Sequence, residues 1–114
     1  MFPTLKNKKF GYANKDAAAR LKGNGHFLDP DVSQDLANQL AGILNVDYYY
    51  GGYGENRSFV LKGSYLEPSK FIHLGVDFWV PAGTIVTADN SCEVVQVYCD
   101  TPEVAGWGTR IAVK

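Results

Sequence analysis

The stretch Asp29-Pro30-Asp31-Val32-Ser33-Gln34-Asp35-Leu36-Ala37-Asn38-Gln39-Leu40-Ala41-Gly42-Ile43-Leu44-Asn45 runs directly into Val46-Asp47-Tyr48-Tyr49-Tyr50, and that junction sets the fold class. Asp29 is placed to cap a helix, Pro30 suits its first position, and Asp31 and Asp35 put acid where the helix dipole favours it. Val32, Leu36, Leu40, Ile43 and Leu44 recur at helical spacing, so one apolar stripe is expected, and Asn45 can end the helix. Upstream, residues 16–21 allow a short helix before Gly23-Asn24-Gly25 interrupts it. Downstream the pattern is β. Residues 46–50 read as an aromatic strand, Gly51-Gly52-Tyr53-Gly54 as a turn, and residues 58–61 as a returning hairpin partner. Further strand-like runs follow at 64–66, 71–74, 76–80, 85–88, 93–98 and 109–113, joined in part by Pro81-Ala82-Gly83-Thr84 and Asp89-Asn90-Ser91. The expectation is a single domain over 1–114 of α+β class, mostly β. It comprises a helical segment (1–45) with one N-terminal amphipathic helix, and a β region (46–114) built as an antiparallel sheet.

Composition narrows the function classes. The 114 residues are 46% hydrophobic and 20% charged, ordinary for a globular domain that needs no staple to hold a core. Eleven Lys and Arg against twelve Asp and Glu give a net charge of -1, so no nucleic-acid partner is expected. No apolar run approaches the roughly 20 residues of a membrane-spanning helix, and the basic N-terminus has no apolar segment behind it. A membrane partner is therefore not expected, and a cytoplasmic location is the default. Cys92 and Cys99 form no Cys-x-x-Cys pair, lie an odd number of residues apart in a strand-like stretch, and read as half-buried thiols.

The chemistry concentrates in Phe71-Ile72-His73-Leu74-Gly75-Val76-Asp77-Phe78-Trp79. His73 and Asp77 are both suited to zinc. On a straight strand, four residues at about 3.3 Å each would hold their Cα atoms roughly 13 Å apart, too far to share an ion. Gly75 is where a bend between them costs least. His26 is a candidate third ligand if its loop folds over the sheet, with Glu67, Glu93 and Asp100 behind it. Tyr48–Tyr53 with Trp79 or Trp107 could instead form an aromatic ligand surface.

His73-Leu74-Gly75-Val76-Asp77, Pro81-Ala82-Gly83-Thr84, Ile85-Val86-Thr87-Ala88 and Gly106-Trp107-Gly108-Thr109-Arg110-Ile111-Ala112-Val113 occur in one order. That order and spacing over residues 71–114 resemble the N-terminal half of the lysostaphin-type zinc metallopeptidases, enzymes that cut peptide crosslinks of bacterial cell walls. The resemblance implies that His73 and Asp77 are two of three protein zinc ligands. It implies also that a His-x-His motif on a later strand brings the third ligand and a catalytic histidine. No histidine follows His73 here, and Cys92 stands where the family usually has Gly. The expectation is thus an incomplete or degenerate metallopeptidase-like domain, with no catalytic residue of its own, weak zinc, and a cell-wall peptide or protein as partner. The last strand, 109–113, would leave an exposed edge, so homo-oligomerisation is expected. A non-catalytic binding module, or a small self-associating protein of another role, is the alternative.

Overall fold

The computed structural model describes residues 1–23, 25–99 and 108–114. Asn24 and the loop at 100–107, with Asp100, Gly106 and Trp107, lie outside the described residues. The fold is α+β, with helix accounting for about 28% and strand for about 20% of it. The described residues fall into two compact units, one of Asn7–Thr84 and one of Met1–Lys6 with Ile85–Lys114.

The larger unit is a three-stranded sheet in the order β1-β2-β3, formed by Phe10–Tyr12 (β1), Tyr48–Gly51 (β2) and Asp77–Trp79 (β3), with two helices between the first two strands. β1 and β2 are parallel, pairing Phe10 with Tyr48 and Tyr12 with Tyr50, whereas β2 and β3 are antiparallel, pairing Tyr49 with Trp79 and Gly51 with Asp77. Among the described residues both strand pairs within 46–114 are antiparallel, as expected, and β1 from the helical segment adds a parallel one. A parallel neighbour requires a long crossover, and the helical segment supplies it.

That crossover contains two helices where one was expected as the main element. Lys15–Lys22 (α1) starts at Asn14, whose side chain accepts from the Ala17 N–H at 2.8 Å, and ends at Gly23 with φ 79°. Pro30–Leu44 (α2) is capped by Asp29, which accepts from the Asp31 and Val32 amides at 2.9 and 3.2 Å. It closes on Asn45 in the left-handed conformation, as its sequence implies. Its buried residues are Leu36 and Ala37, with Leu40, Ala41 and Leu44 partly buried beside them, while Ile43, expected in the same stripe, is 79% exposed. Two small cores share Leu40: Ala13, Ala37 and Tyr49 under the sheet, and Ala19, Phe27 and Leu36 between the helices and the segment carrying Phe59 and Val60.

Residues 58–61 do not return as a strand. The buried Asp16 carboxylate accepts from the Phe59 and Val60 amides at 2.8 and 2.9 Å and from Arg20 at 2.7 Å. With those amides taken, the segment coils into helical turns, Leu61 N–H donating to the Arg57 carbonyl at 3.0 Å. Residues 71–74 contribute one antiparallel bridge, Asn56 to Ile72, rather than a strand, and residues 85–88 form none.

The smaller unit holds an antiparallel ribbon of Val94–Tyr98 (β4) and Arg110–Val113 (β5), extended by paired hydrogen bonds between Glu93 and Lys114. Every residue of β4 is exposed within the described structure. The thiols that flank β4, Cys92 and Cys99, are both free and exposed rather than half-buried.

Candidate functional site

The site forms where the glycine-rich end of β2 meets the approach to β3. Residues 54–57 run antiparallel to 71–73: Gly54 N–H donates to the His73 carbonyl at 2.7 Å, His73 N–H to the Glu55 carbonyl at 2.8 Å, and Arg57 N–H to the Phe71 carbonyl at 2.8 Å. This short ladder sets His73 beside Glu55. The chain then bends at Gly75, and Asp77 enters β3 opposite Gly51. The bend brings His73 Nε2 to 3.3 Å from Asp77 Oδ1. A Cβ on Gly75 would lie 3.3 Å from that same Nε2, so the missing side chain also gives the imidazole its room.

The hydrogen bonding of the ring defines its chemistry. His73 Nδ1 lies 3.2 Å from the Gly52 carbonyl oxygen, which can only accept, so Nδ1 carries the hydrogen. In the neutral ring Nε2 is then a lone pair aimed at a carboxylate oxygen. Two acceptors at 3.3 Å repel unless a positive charge lies between them, either a second proton on the imidazole or a metal ion. Donors bound at about 2.0–2.2 Å to a tetrahedral zinc are themselves about 3.3–3.5 Å apart. A ring nitrogen held by a backbone carbonyl is also the usual outer support of a metal-bound histidine.

Asp77 Oδ2 is held separately by Arg57 Nη1 at 2.6 Å. Arg57 in turn lies on Glu55 Oε2, with Nη2 at 3.2 Å and Nε at 3.4 Å. Glu55 is 6% exposed and its other oxygen accepts from the Tyr12 hydroxyl at 3.0 Å and the Gly52 amide at 3.1 Å. The Tyr12 phenol is raised above its ordinary range by that hydrogen bond first, then by burial and by the Glu55 charge. Gly51 has no room for a side chain, and Gly52 has little. A Cβ on Gly51 would come 2.9 Å from the Trp79 ring and 3.3 Å from Arg57 Nη2, and one on Gly52 would come 3.0 Å from the Tyr12 ring.

Sequence reading brought forward His73, Gly75 and Asp77, and the structure places them together. It did not find Glu55, Arg57 or Tyr12. The one signal was an acid and a base two apart directly after a glycine run, a pattern equally expected of a solvated loop. His26 lies exposed in the loop between the helices. Among the described residues no group of three or more His, Cys, Asp or Glu side chains is arranged to hold an ion. Glu67 is exposed at a single 3-10 turn, and Glu93 pairs with Lys114 at 3.2 Å. Trp79 is not a surface platform: it stacks on Tyr49 with ring centroids 4.8 Å apart and joins the core. The aromatic surface lies on the sheet's other face, where the rings of Phe10, Tyr12, Tyr48, Tyr50 and Phe78 touch in series.

Compared with models of protein families, with curated proteins and with solved structures, the chain matches none. No helix of the described residues is long and apolar enough to cross a membrane.

Proposed function

We propose that this chain carries half of a zinc site on an incomplete metallopeptidase-like scaffold, with His73 Nε2 and Asp77 Oδ1 as the two ligands. The observation that carries the reading is their 3.3 Å approach with the other ring nitrogen occupied by the Gly52 carbonyl. The ordered resemblance of residues 71–114 to the lysostaphin-type peptidases supports it. Zinc bound there supplies Lewis acidity for polarising an amide carbonyl, the chemistry expected for cell-wall peptide. This chain's residues orient the ligands: Gly52 fixes the imidazole, and Arg57, backed by Glu55, fixes the carboxylate. A third ligand must come from outside this pair, so zinc is held weakly by the chain alone, and peptide hydrolysis is not expected of it unaided.

The test is zinc stoichiometry by elemental analysis and titration, beside His73→Ala and Asp77→Ala. Saturable zinc lost in both variants supports the reading. Zinc retained by both, or absent from the parent chain at millimolar metal, retires it. In that case the peptide-binding module without metal becomes the better description.

A further inference from the structure

We propose that the cavity between α2 and the end of β3 binds an organic ammonium ion, with the Asp47 carboxylate as counter-charge and the neighbouring aromatic wall covering the ligand's apolar body. The proposal stands apart from the zinc reading, since neither His73 nor Asp77 lines this space. The cavity holds about 400 Å³ and lies wholly within the larger unit.

The sequence opens it in two places. Gln34, Ala37, Asn38 and Ala41 fall at helical spacing on one face of α2, and the two alanines leave room where longer side chains would fill it. On the sheet side, β3 stops at Trp79, and Pro81 has no N–H with which to extend the ladder. Pairing with β2 therefore ends at Tyr49–Trp79, and residues 47–48 and 80–82 line the gap beyond it.

The charge of the lining names the ligand. Among the described residues Asp47 is its one charged member, with no lysine, arginine or histidine beside it. The carboxylate is held in place: Oδ2 accepts from the Lys9 N–H at 2.8 Å, while the Asp47 and Tyr48 amides donate to the Lys9 carbonyl at 2.9 and 3.3 Å. Asp47 makes no ion pair with any described residue, and its Oδ1 accepts no hydrogen bond from one. Gln34 Nε2 donates to Asn38 Oδ1 at 3.0 Å, which leaves the Gln34 oxygen as a second acceptor. An ammonium brings donors for both oxygens and no acceptor of its own. Tyr48, Tyr49, Phe78 and Trp79 supply the aromatic wall. Trp79 already carries the stacked Tyr49 ring at 4.8 Å and the Lys15 ammonium at 5.4 Å, so the ligand's charge belongs at Asp47 and its apolar part at the wall. A hard metal ion collects roughly six or more oxygens, and one carboxylate falls well short of that. An anion would meet Asp47 with nothing in the lining to offset it.

The experiment titrates the full chain with phenethylamine in chelator-treated, low-salt buffer at about pH 6.5, where the amine is protonated. Phenethyl alcohol and hydrocinnamate serve as the neutral and anionic counterparts, and the Trp79 indole and Ala41 resonances report binding by NMR. The amine is expected to bind at least about fivefold more tightly than the alcohol, with the anion weakest. Asp47→Asn keeps an oxygen for the Lys9 N–H and removes the preference of amine over alcohol. Gln34→Glu, on the exposed side of α2, tightens the amine by about threefold. Added salt weakens the amine and leaves the alcohol unchanged. Phenylalanyl-glycine amide compares a peptide's N-terminal ammonium with the free amine; tighter binding of either supports the site and assigns the source. Equal binding of amine and alcohol, tighter binding of the anion, or an amine preference undiminished in Asp47→Asn each overturns the proposal, as does no shift at Trp79 and Ala41 at high millimolar amine. Circular dichroism checks the fold of each variant, and should Asp47→Asn not fold, unchanged amine affinity in Gln34→Glu overturns the proposal alone. Amine binding is expected to survive His73→Ala, so the cavity and the zinc reading fail separately.

Discussion

Substituting Glu55 by Gln tests whether a buried charge holds the site together. Its carboxylate is 6% exposed and serves four donors: Tyr12 Oη, Gly52 N, Arg57 Nε and Arg57 Nη2. A glutamine of the same shape can keep the first two, but its amide group would face the guanidinium donor to donor. Removing one member of a buried ion pair costs about 3–5 kcal/mol. Arg57 keeps Asp77 at 2.6 Å, which places the loss near the lower end, about 3 kcal/mol. With a urea m-value of about 2 kcal/mol/M, the unfolding midpoint should fall by about 1.5 M. The control is Glu67→Gln, an exposed acid of the same unit, expected to shift the midpoint by about 0.2 M or less. A second readout is the Tyr12 phenol, whose carbon resonance should titrate closer to the ordinary tyrosine range once the Glu55 charge is gone. Equal midpoint shifts in the two variants, with Tyr12 unmoved, would refute the buried relay.

Gly75→Ala places a Cβ 3.3 Å from His73 Nε2, so zinc affinity should drop about tenfold or more in titration while the unfolding midpoint barely moves; unchanged affinity would mean the bend does not set the pair. Tyr49 is 1% exposed, its hydroxyl has no hydrogen-bond partner among the described residues, and burial pushes its phenol up to about 12. Because the folded-state value is raised, the associated stability is complete below pH 10 and is lost as pH climbs through 12, by up to about 3 kcal/mol. Tyr49→Phe should flatten that alkaline decline and leave neutral-pH stability equal or slightly higher, read by urea unfolding at pH 8 and pH 11. We further propose that the β4–β5 ribbon recruits a second copy through an edge, since among the described residues these two strands pair only with each other and a two-stranded ribbon is marginal in water. Sedimentation across a concentration series should then show dimer, and Val97→Lys on β4 should suppress it; a monomer throughout removes the proposal.

Local patterns carried α2 almost intact into the structure, because its cap, its stripe and its left-handed Asn45 are each set within a few residues. The same holds for the bend at Gly75: a distance argument on His73 and Asp77 needs only strand rise and a residue without Cβ. The strand readings at 58–61 and 85–88 failed for the complementary reason. Apolar alternation permits a strand, but backbone amides go where acceptors are, and the carboxylate that claims Phe59 and Val60 is Asp16, more than 40 residues earlier. Nothing local foretold that β1 would lie parallel to β2, since that pairing follows from where the two helices carry the chain. Glu55 and Arg57 were invisible for a related reason. A charged side chain in a glycine-rich loop or at a helix start looks solvated until the fold removes its water, and only the tertiary structure decides which charges lose it. By itself the sequence determined the α+β class and the capped helix, and it singled out residues 73 and 77 as a pair that a bend at Gly75 could bring together. The partners that orient this pair were decided by packing across the chain, where burial turns ordinary loop charges into fixed ones.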